Sequence, residues 1–432
     1  MKKRARQVID MLKRTKLNNG IRVVYENIPY VRSVSVGIWV GTGSRNEDAI
    51  NNGISHFIEH MMFKGTKNRS AKEIAAYIDS IGGQLNAFTG KEYTCYYAKT
   101  LDTHIDIALD VLSDMFFNSL FAERDMEIEK QVIIEEINMY DDTPEELVHD
   151  ILSETMWDGD PLGYPILGRQ SILRDLKREM IIDYIDRNYT CSNTVISVAG
   201  NFDENKLLDL VNKYFSQWNS KYQKEVSFNP VEFRSDIKIK QKDTEQIHLC
   251  VGFKGIEHGN DDLYPMLVVN NVFGGGMSSR LFQKIREEKG LVYSIYSYPS
   301  SYVNSGSFVI YAGMNPEQVD VVVNLILEET KNLLEKGIDQ AELNKGREQL
   351  KGNYMLGLES TNSRMNSMGK SELLLGYINT PEEILERIDN VNMDSVNRVI
   401  KQIFDFNKMS IAAVGKFKKD VDFAELIKGY KG

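Results

Sequence analysis

The chain lacks any Cys-x-x-Cys pair, and its three cysteines, Cys95, Cys191 and Cys250, stand far apart among 432 residues. A disulfide framework and a thiolate zinc site are thereby excluded, and a reducing compartment, the cytoplasm, is the expected location. Low-complexity composition is also missing: nine prolines, 42% apolar and 26% charged residues describe an ordinary folded protein. No stretch approaches the roughly 20 apolar residues that span a bilayer. The basic start Met1-Lys2-Lys3-Arg4 has the look of a signal peptide, but Asp10 and Lys13 interrupt the apolar stretch after it. Positive charge is in deficit, with 52 Lys and Arg against 62 Asp and Glu and a net charge of −10. That balance opposes binding to phosphate backbones and anionic lipid, so neither nucleic acid nor membrane is expected as a partner.

What is present is one order of elements, given twice. β-Branched and aromatic residues dominate 21–41, which reads as two strands turning near Pro29. Periodicity predicts helices over about 53–64, 70–81, 103–118, 123–141, 143–156, 171–188 and 203–219, with strands near 84–100 and 193–199. Residues 217–236 are polar, contain Pro230 and follow neither period, which makes them the expected linker. Strands then recur near 237–253, 291–313 and 408–415, with helices at 260–272 and 278–288 and a long helical region from 315. Val198-Ala199-Gly200-Asn201-Phe202 matches Ala413-Val414-Gly415-Lys416-Phe417 at an offset of 215, and Phe63-Lys64-Gly65 matches Phe273-Gly274-Gly275 at 210. Similar offsets at both ends of a half imply duplication. The expected organisation is two related domains, residues 1–216 and 237–432, joined by 217–236.

Chemistry concentrates in Gly53-Ile54-Ser55-His56-Phe57-Ile58-Glu59-His60-Met61-Met62-Phe63. Two of the six histidines stand four residues apart, so on a helix both imidazoles lie on one face with Glu59 beside them. Neutral imidazoles suit zinc, and a zinc site for catalysis needs a third protein ligand and an open position for water. Apolar residues surround the set on nearly every side, so the helix is a buried one whose polar groups need partners. The segment from Arg124 to Asp141 offers carboxylates for the third position. Glu129 and Glu136 are two turns apart and are expected to share a face with Val132, Ile133 and Tyr140, whereas Glu135 neighbours Gln131, Asn138 and Met139. That apolar surround favours Glu136 as ligand and Glu129 as the carboxylate that orients a histidine. His149 is a rival ligand, and a plain surface carboxylate at 136 stays open.

HFIEH, followed after 75 residues by Glu136 with Glu129 ahead of it, resembles the inverted-zinc-motif peptidases, the family of pitrilysin, insulin-degrading enzyme and mitochondrial processing peptidase. The likeness extends from Asn19-Gly20-Ile21-Arg22-Val23 through Asp160-Pro161-Leu162-Gly163 to the C-terminal repeat, and the length resembles the short two-domain bacterial branch. The resemblance implies an α+β fold of two homologous domains, each a mostly antiparallel sheet packed with helices. It implies one zinc per chain held by His56, His60 and Glu136, with Glu59 as general base. Leu85-Asn86-Ala87-Phe88-Thr89 resembles the edge strand to which an extended peptide adds, a main-chain pairing that tolerates many sequences. Arg286 and Tyr293, seven residues apart, resemble the family's substrate-contacting pair: Arg offers a donor fork and Tyr a phenol for an oxyanion. Val292 departs from the glycine usual in larger relatives.

Gly274-Gly275-Gly276-Met277-Ser278 lacks the Lys-Ser/Thr of a phosphate loop and is expected to be a loop at the substrate or a helix-ending turn. His104, His149, His248 and His258 show no metal spacing. With the 210 offset, His56, Glu59 and His60 fall opposite Met266, Val269 and Asn270, so only the first domain is expected to hold chemistry. The expected activity is zinc-dependent endopeptidase action on peptides or unfolded protein segments. The alternative is a noncatalytic peptide-binding or scaffold subunit. Because two domains are half the complement of the four-domain relatives, a homodimer is the expected assembly.

Overall fold

Apolar, β-branched runs become the strands that organise the chain. A computed structural model describes residues 12–224, 227–417 and 421–430. Its strands are β1 (Leu12–Lys16), β2 (Arg22–Asn27), β3 (Ser33–Val40), β4 (Gln84–Thr89), β5 (Thr94–Leu101), β6 (Thr194–Gly200), β7 (Ile237–Gln241), β8 (Ile247–Lys254), β9 (Val292–Tyr302), β10 (Ser305–Met314) and β11 (Ser410–Gly415). Its helices are α1 (Ile54–Met61), α2 (Ala71–Asp79), α3 (Ile105–Asn118), α4 (Glu123–Asp141), α5 (Pro144–Met156), α6 (Gln170–Asp175), α7 (Arg178–Asn188) and α8 (Glu204–Phe215). The second half of the chain adds α9 (Leu263–Phe273), α10 (Val319–Lys336), α11 (Gln340–Gly357), α12 (Thr361–Leu375), α13 (Pro381–Asp389), α14 (Met393–Ile403) and α15 (Phe423–Lys428).

Two sheets share one wiring. The first runs β1-β2-β6-β3-β5-β4 and the second β7-β11-β8-β10-β9, so without β1 the orders coincide. In each, a single parallel pair joins the first strand of the repeat to the last, β2 to β6 and β7 to β11, and the other pairs are antiparallel. The matched glycines of the sequence repeat close the last strands: Gly200 has φ 138° and Gly415 φ 151°. A Cβ at either would strike backbone, Ser33 O at 2.3 Å and Gln246 O at 2.8 Å, so only glycine fits at each. The expected α+β duplication of mostly antiparallel sheets is present in the fold.

Each sheet is covered on both faces, which is why β6, β10 and β11 are buried along their whole length. In the first, Val36, Ile38 and Val40 face a core shared with Phe57, Ile58 and Leu109, while Trp39 and Val195 face Met365 and Met368 of α12. In the second, Leu249 and Phe308 pack with Val269 and Val323, while Cys250, Val309 and Tyr311 face Leu152 and Met156 of α5. The covering helices are exchanged between the sequence halves. Gly37 and Gly252, 215 residues apart, make room for them: a Cβ would lie 2.4 Å from Met365 Sδ at the first and 2.6 Å from Met156 Sδ at the second.

The chain accordingly forms two compact units that are not its sequence halves. One comprises the described residues of Met1–Ile137, Pro165–Ser227 and Met355–Glu382; the other those of Asn138–Tyr164, Phe228–Tyr354 and Glu383–Gly432. The 1–216 and 237–432 division describes the order of the repeat, and packing moves one segment of each half to the other sheet. Among the described residues, 217–236 form neither helix nor strand. Three local readings need correction. The helix expected over 171–188 is broken at Leu176, which extends with ψ 128° and buries its side chain. Within 278–288 the chain makes a wide π-helical turn, Phe282–Glu287. Strand β1 went unread because Leu12–Lys16, exposed after its first residue, has no apolar alternation. No described helix is long and apolar enough to cross a membrane.

Candidate metal centre

Helix α1 is held from its N-terminus by a buried carboxylate. Gly53 N and Asn52 Nδ2 donate to Glu47 Oε2 at 2.7 and 2.9 Å, and Ser55 N donates to Oε1 at 2.9 Å. These bonds satisfy amides that the helix leaves free, and they oppose the burial that pushes the Glu47 carboxyl up to about 7. Gly53 enters at φ 97° with Gly168 Cα only 2.8 Å from where its Cβ would be, so the helix cannot start on another residue without displacing backbone. Phe57, Ile58 and Met61 then pin α1 to the core, which fixes the direction of the opposite, histidine-bearing stripe.

That stripe meets α4. The ring centroids of His56 and His60 are 4.5 Å apart. Glu136 Oε2 lies 3.8 Å from His56 Nε2 and 3.7 Å from His60 Nε2, and one ligand atom from each of the three falls within 4.8 Å of the others. For zinc bonded at about 2.0–2.1 Å in a tetrahedron, ligand atoms are about 3.3 Å apart. The two imidazole–carboxylate distances exceed that by a few tenths of an ångström, and two imidazoles with one carboxylate are donors that zinc takes. Glu59 stands aside from it: Thr89 Oγ1, on β4, donates to Glu59 Oε2 at 2.5 Å.

Charge in the cluster is uneven. Burial, and then His60, push the proton affinity of His56 down to about 3, leaving its imidazole neutral. For His60 burial acts downward, but the hydrogen bond to Glu129 and the charges of Glu129, Glu136 and Glu59 outweigh it and raise its pKa. Burial and the charge of Glu136 raise the pKa of Glu59 against the opposing pull of Thr89 and His60. Glu129 moves the other way: burial resists, yet bonds from His60 and Lys64 lower its pKa.

Glu129 Oε1 is 2.8 Å from His60 Nδ1, with its side chain 3% exposed, while Glu136 is 28% exposed. Glu135 faces solvent. The face of α4 differs from expectation in one member: Val132 is 46% exposed, so the inward arc contains Glu129, Ile133 and Glu136 without it. Strand β4 is the edge of its sheet, paired only with β5 among the described strands. Ala87 is buried, Phe88 packs against Trp39, Tyr93 and Tyr97, and Asn86 is exposed. Backbone rather than the Ala87 side chain is what this edge presents. A groove of about 500 Å³ beside it is lined by Phe63, Ile74, Ile78, Leu85 and Tyr97 among others.

Arg286 and Tyr293 belong to the second unit. The Arg286 guanidinium stacks 4.7 Å from the Phe282 ring and 5.9 Å from that of Tyr293, which is 75% exposed rather than a core residue. Gly290, at φ 61°, makes the turn into β9, so Val292 has no need to be glycine. His149 is remote from the ligand role proposed as a rival, being bonded to Tyr298 Oη at 2.7 Å and lying 3.4 Å from Cys250 Sγ in the second unit. Gly274 and Gly275 both donate to Asn270 O, a helix-ending turn. Sequence reasoning missed Glu47, Thr89 as the partner of Glu59, and Lys64; only Lys64 carried a signal, four residues after His60.

Two family models match the chain: insulinase (peptidase family M16) over residues 22–170 and the peptidase M16 inactive domain over 175–350. A Bacillus subtilis protein named uncharacterized zinc protease YmxG is 50% identical over 394 residues, 91% of this chain and 96% of its own. The chain belongs to peptidase family M16. Another M16 relative, an uncharacterized zinc protease of Streptomyces coelicolor, is 39% identical over 95% of this chain and 91% of its own. Among solved structures, a protease from Helicobacter pylori shares the fold with a TM-score of 0.87 at 22% identity, over 94% of this chain and 99% of that one.

Proposed function

We propose that this M16 protein is a zinc-dependent endopeptidase acting on peptides or extended protein segments. The observation that carries the reading is the convergence of His56, His60 and Glu136 beside a separate, partly buried carboxylate, Glu59. Relatives named zinc proteases support it. His56, His60 and Glu136 would hold one zinc, and three protein ligands leave a position open, as catalytic rather than structural sites do. Bound zinc supplies Lewis acidity toward water and the scissile carbonyl. Glu59 takes the proton of the attacking water and passes it to the leaving amine, a role suited to a carboxylate whose proton affinity burial has raised. Glu129 orients His60 through Nδ1. The edge of β4 at Asn86, Ala87 and Phe88 pairs with the extended substrate backbone, and Arg286 and Tyr293 are further substrate contacts.

We also propose a homodimer in the cytoplasm, without nucleic-acid or membrane partners, as composition and the half complement of domains suggest. The noncatalytic alternative is the weaker reading, because a scaffold has no use for this set of buried donors. The test is Glu59→Gln at matched zinc occupancy. Turnover of a quenched fluorescent peptide should fall by about 10²–10⁴, the share of general base catalysis; near-normal turnover would reassign the base. Arg286→Ala and Tyr293→Phe should lower catalytic efficiency without loss of zinc.

A further inference from the structure

One cation beside the candidate ligands has no part in this mechanism. Lys64 follows His60 by four residues and His56 by eight, so the three share a stripe on α1 and its extension. Bonds from Phe63 N to His60 O and from Lys64 N to Met61 O, 3.2 and 3.1 Å, carry the helical turn past Met61. From there Lys64 Nζ lies 2.5 Å from Glu129 Oε2, while Oε1 of the same carboxylate lies 2.8 Å from His60 Nδ1. The two oxygens of Glu129 are divided between a cation and a ring nitrogen.

A carboxylate bonded through one oxygen keeps a broad terminal torsion. Anchoring the second oxygen fixes the carboxylate plane and with it the direction in which Nδ1–H of His60 must donate. With the proton on Nδ1, Nε2 turns its lone pair toward the point it shares with His56 Nε2 and Glu136 Oε2. The duplicated unit supplies a second observation. At the 210 offset Lys64 corresponds to Gly274, where a Cβ would lie 2.4 Å from Ser297 Oγ. Helix α11 meets α9 there through Gly346, whose Cβ position is 3.0 Å from Val268. Where the histidines are absent, so are the cation at the Lys64 position and the ligand carboxylate, Glu136 falling opposite Gly346, while Glu129 falls opposite Asp339, which instead accepts from Glu342 N at the start of α11.

We infer that Lys64 is a positioning residue of the metal site: its ammonium holds Glu129 so that Glu129 holds the ring of His60. The inference rests on the reading that His56, His60 and Glu136 bind zinc. It is tested by zinc dissociation constants, from competition with a chromogenic chelator, on the full chain and its Lys64→Met, Lys64→Arg, Glu129→Gln, His56→Ala and Lys64→Met/Glu129→Gln variants. Lys64→Met should bind zinc about tenfold more weakly, the lower end of the range for outer partners of a ligand. Lys64→Arg should restore most of the affinity, since a guanidinium can anchor the same oxygen. The double variant should lose no more than Glu129→Gln alone, because Lys64 acts only through Glu129. At saturating zinc, Lys64→Met should lower kcat and leave the peptide KM unchanged. Wild-type zinc affinity in Lys64→Met, whatever its melting temperature, would overturn the inference, as would additive losses in the double variant. Failure of the underlying reading has a different signature: wild type and His56→Ala would bind zinc alike.

Discussion

Helices α1 and α9 pack on equivalent edge strands, β4 and β9, of two sheets with the same wiring, yet they are built of opposite materials. Where α1 has His56, Glu59, His60 and, just beyond it, Lys64, the repeat has Met266, Val269, Asn270 and Gly274. Met266 and Val269 are fully buried, and Asn270 Oδ1 is satisfied by Ser297 Oγ at 2.8 Å. The fold itself therefore asks for no polar group in this place. Burying imidazoles and carboxylates there is unfavourable without partners, and the first unit supplies Thr89 to Glu59, Glu129 to His60 and Lys64 to Glu129, while Glu47 caps the start of α1. The difference between the units is thus a whole shell of partners and not two histidines alone.

The comparison breaks most sharply at the ligands. His56→Ala should abolish zinc binding and turnover together while the second unit keeps its fold, as read by metal content and circular dichroism. Glu136→Gln should weaken zinc by more than about 100-fold, Glu129→Gln by about 10–100-fold as an outer partner, and Glu135→Gln negligibly. Equal affinities for the Glu135 and Glu136 variants would remove Glu136 from the site.

A smaller effect tests the symmetry of the scaffold. Gly37→Ala and Gly252→Ala each force a methyl against the methionine of an exchanged helix, and each should cost about 1–3 kcal/mol of overpacking in urea unfolding. A cost at only one glycine would show that the exchanged helices do not pack alike.

The remaining prediction concerns pH. Burial, and then His248, push the pKa of His149 in the second unit from 6.5 to about 4. The unfolded chain takes up that proton near its ordinary pKa and the folded chain only near the depressed one. Stability is therefore fully present above pH 6.5, falls as pH drops toward 4, and levels off below. At about 1.4 kcal/mol per unit, the loss is at most about 3.5 kcal/mol. Urea midpoints of His149→Gln should depend less on pH across that window than those of the wild type; an unchanged slope would remove His149 as the source.

Much of this was legible in the sequence because it is local. HFIEH sets its own geometry at about 100° per residue, and Glu129 and Glu136 lie two turns apart on one helix. Val132 was misplaced because the buried residues of α4, Met126, Glu129, Lys130, Ile133 and Ile134, centre the inward arc at Ile133, which leaves Glu136 about 60° away at its rim and Val132 about 100° away, outside it. The exchange of α5 and α12 was invisible, since amphipathic periodicity says that a helix covers something and not which sheet. The same limit hid Thr89, which meets Glu59 across 30 residues of chain, and Glu47, whose spacing from Gly53 and Ser55 fits no helical period.

The claim on which the rest depends is that the polar shell of the first unit is a catalytic zinc site. It is tested most directly by loading the purified chain with zinc, counting metal per chain, and watching cleavage of a quenched fluorescent peptide as a chelator removes the metal and added zinc restores it. The account predicts one zinc per chain, with cleavage that disappears and returns in proportion to occupancy. Cleavage that survives complete removal of metal, or a chain that takes up no zinc, would contradict it.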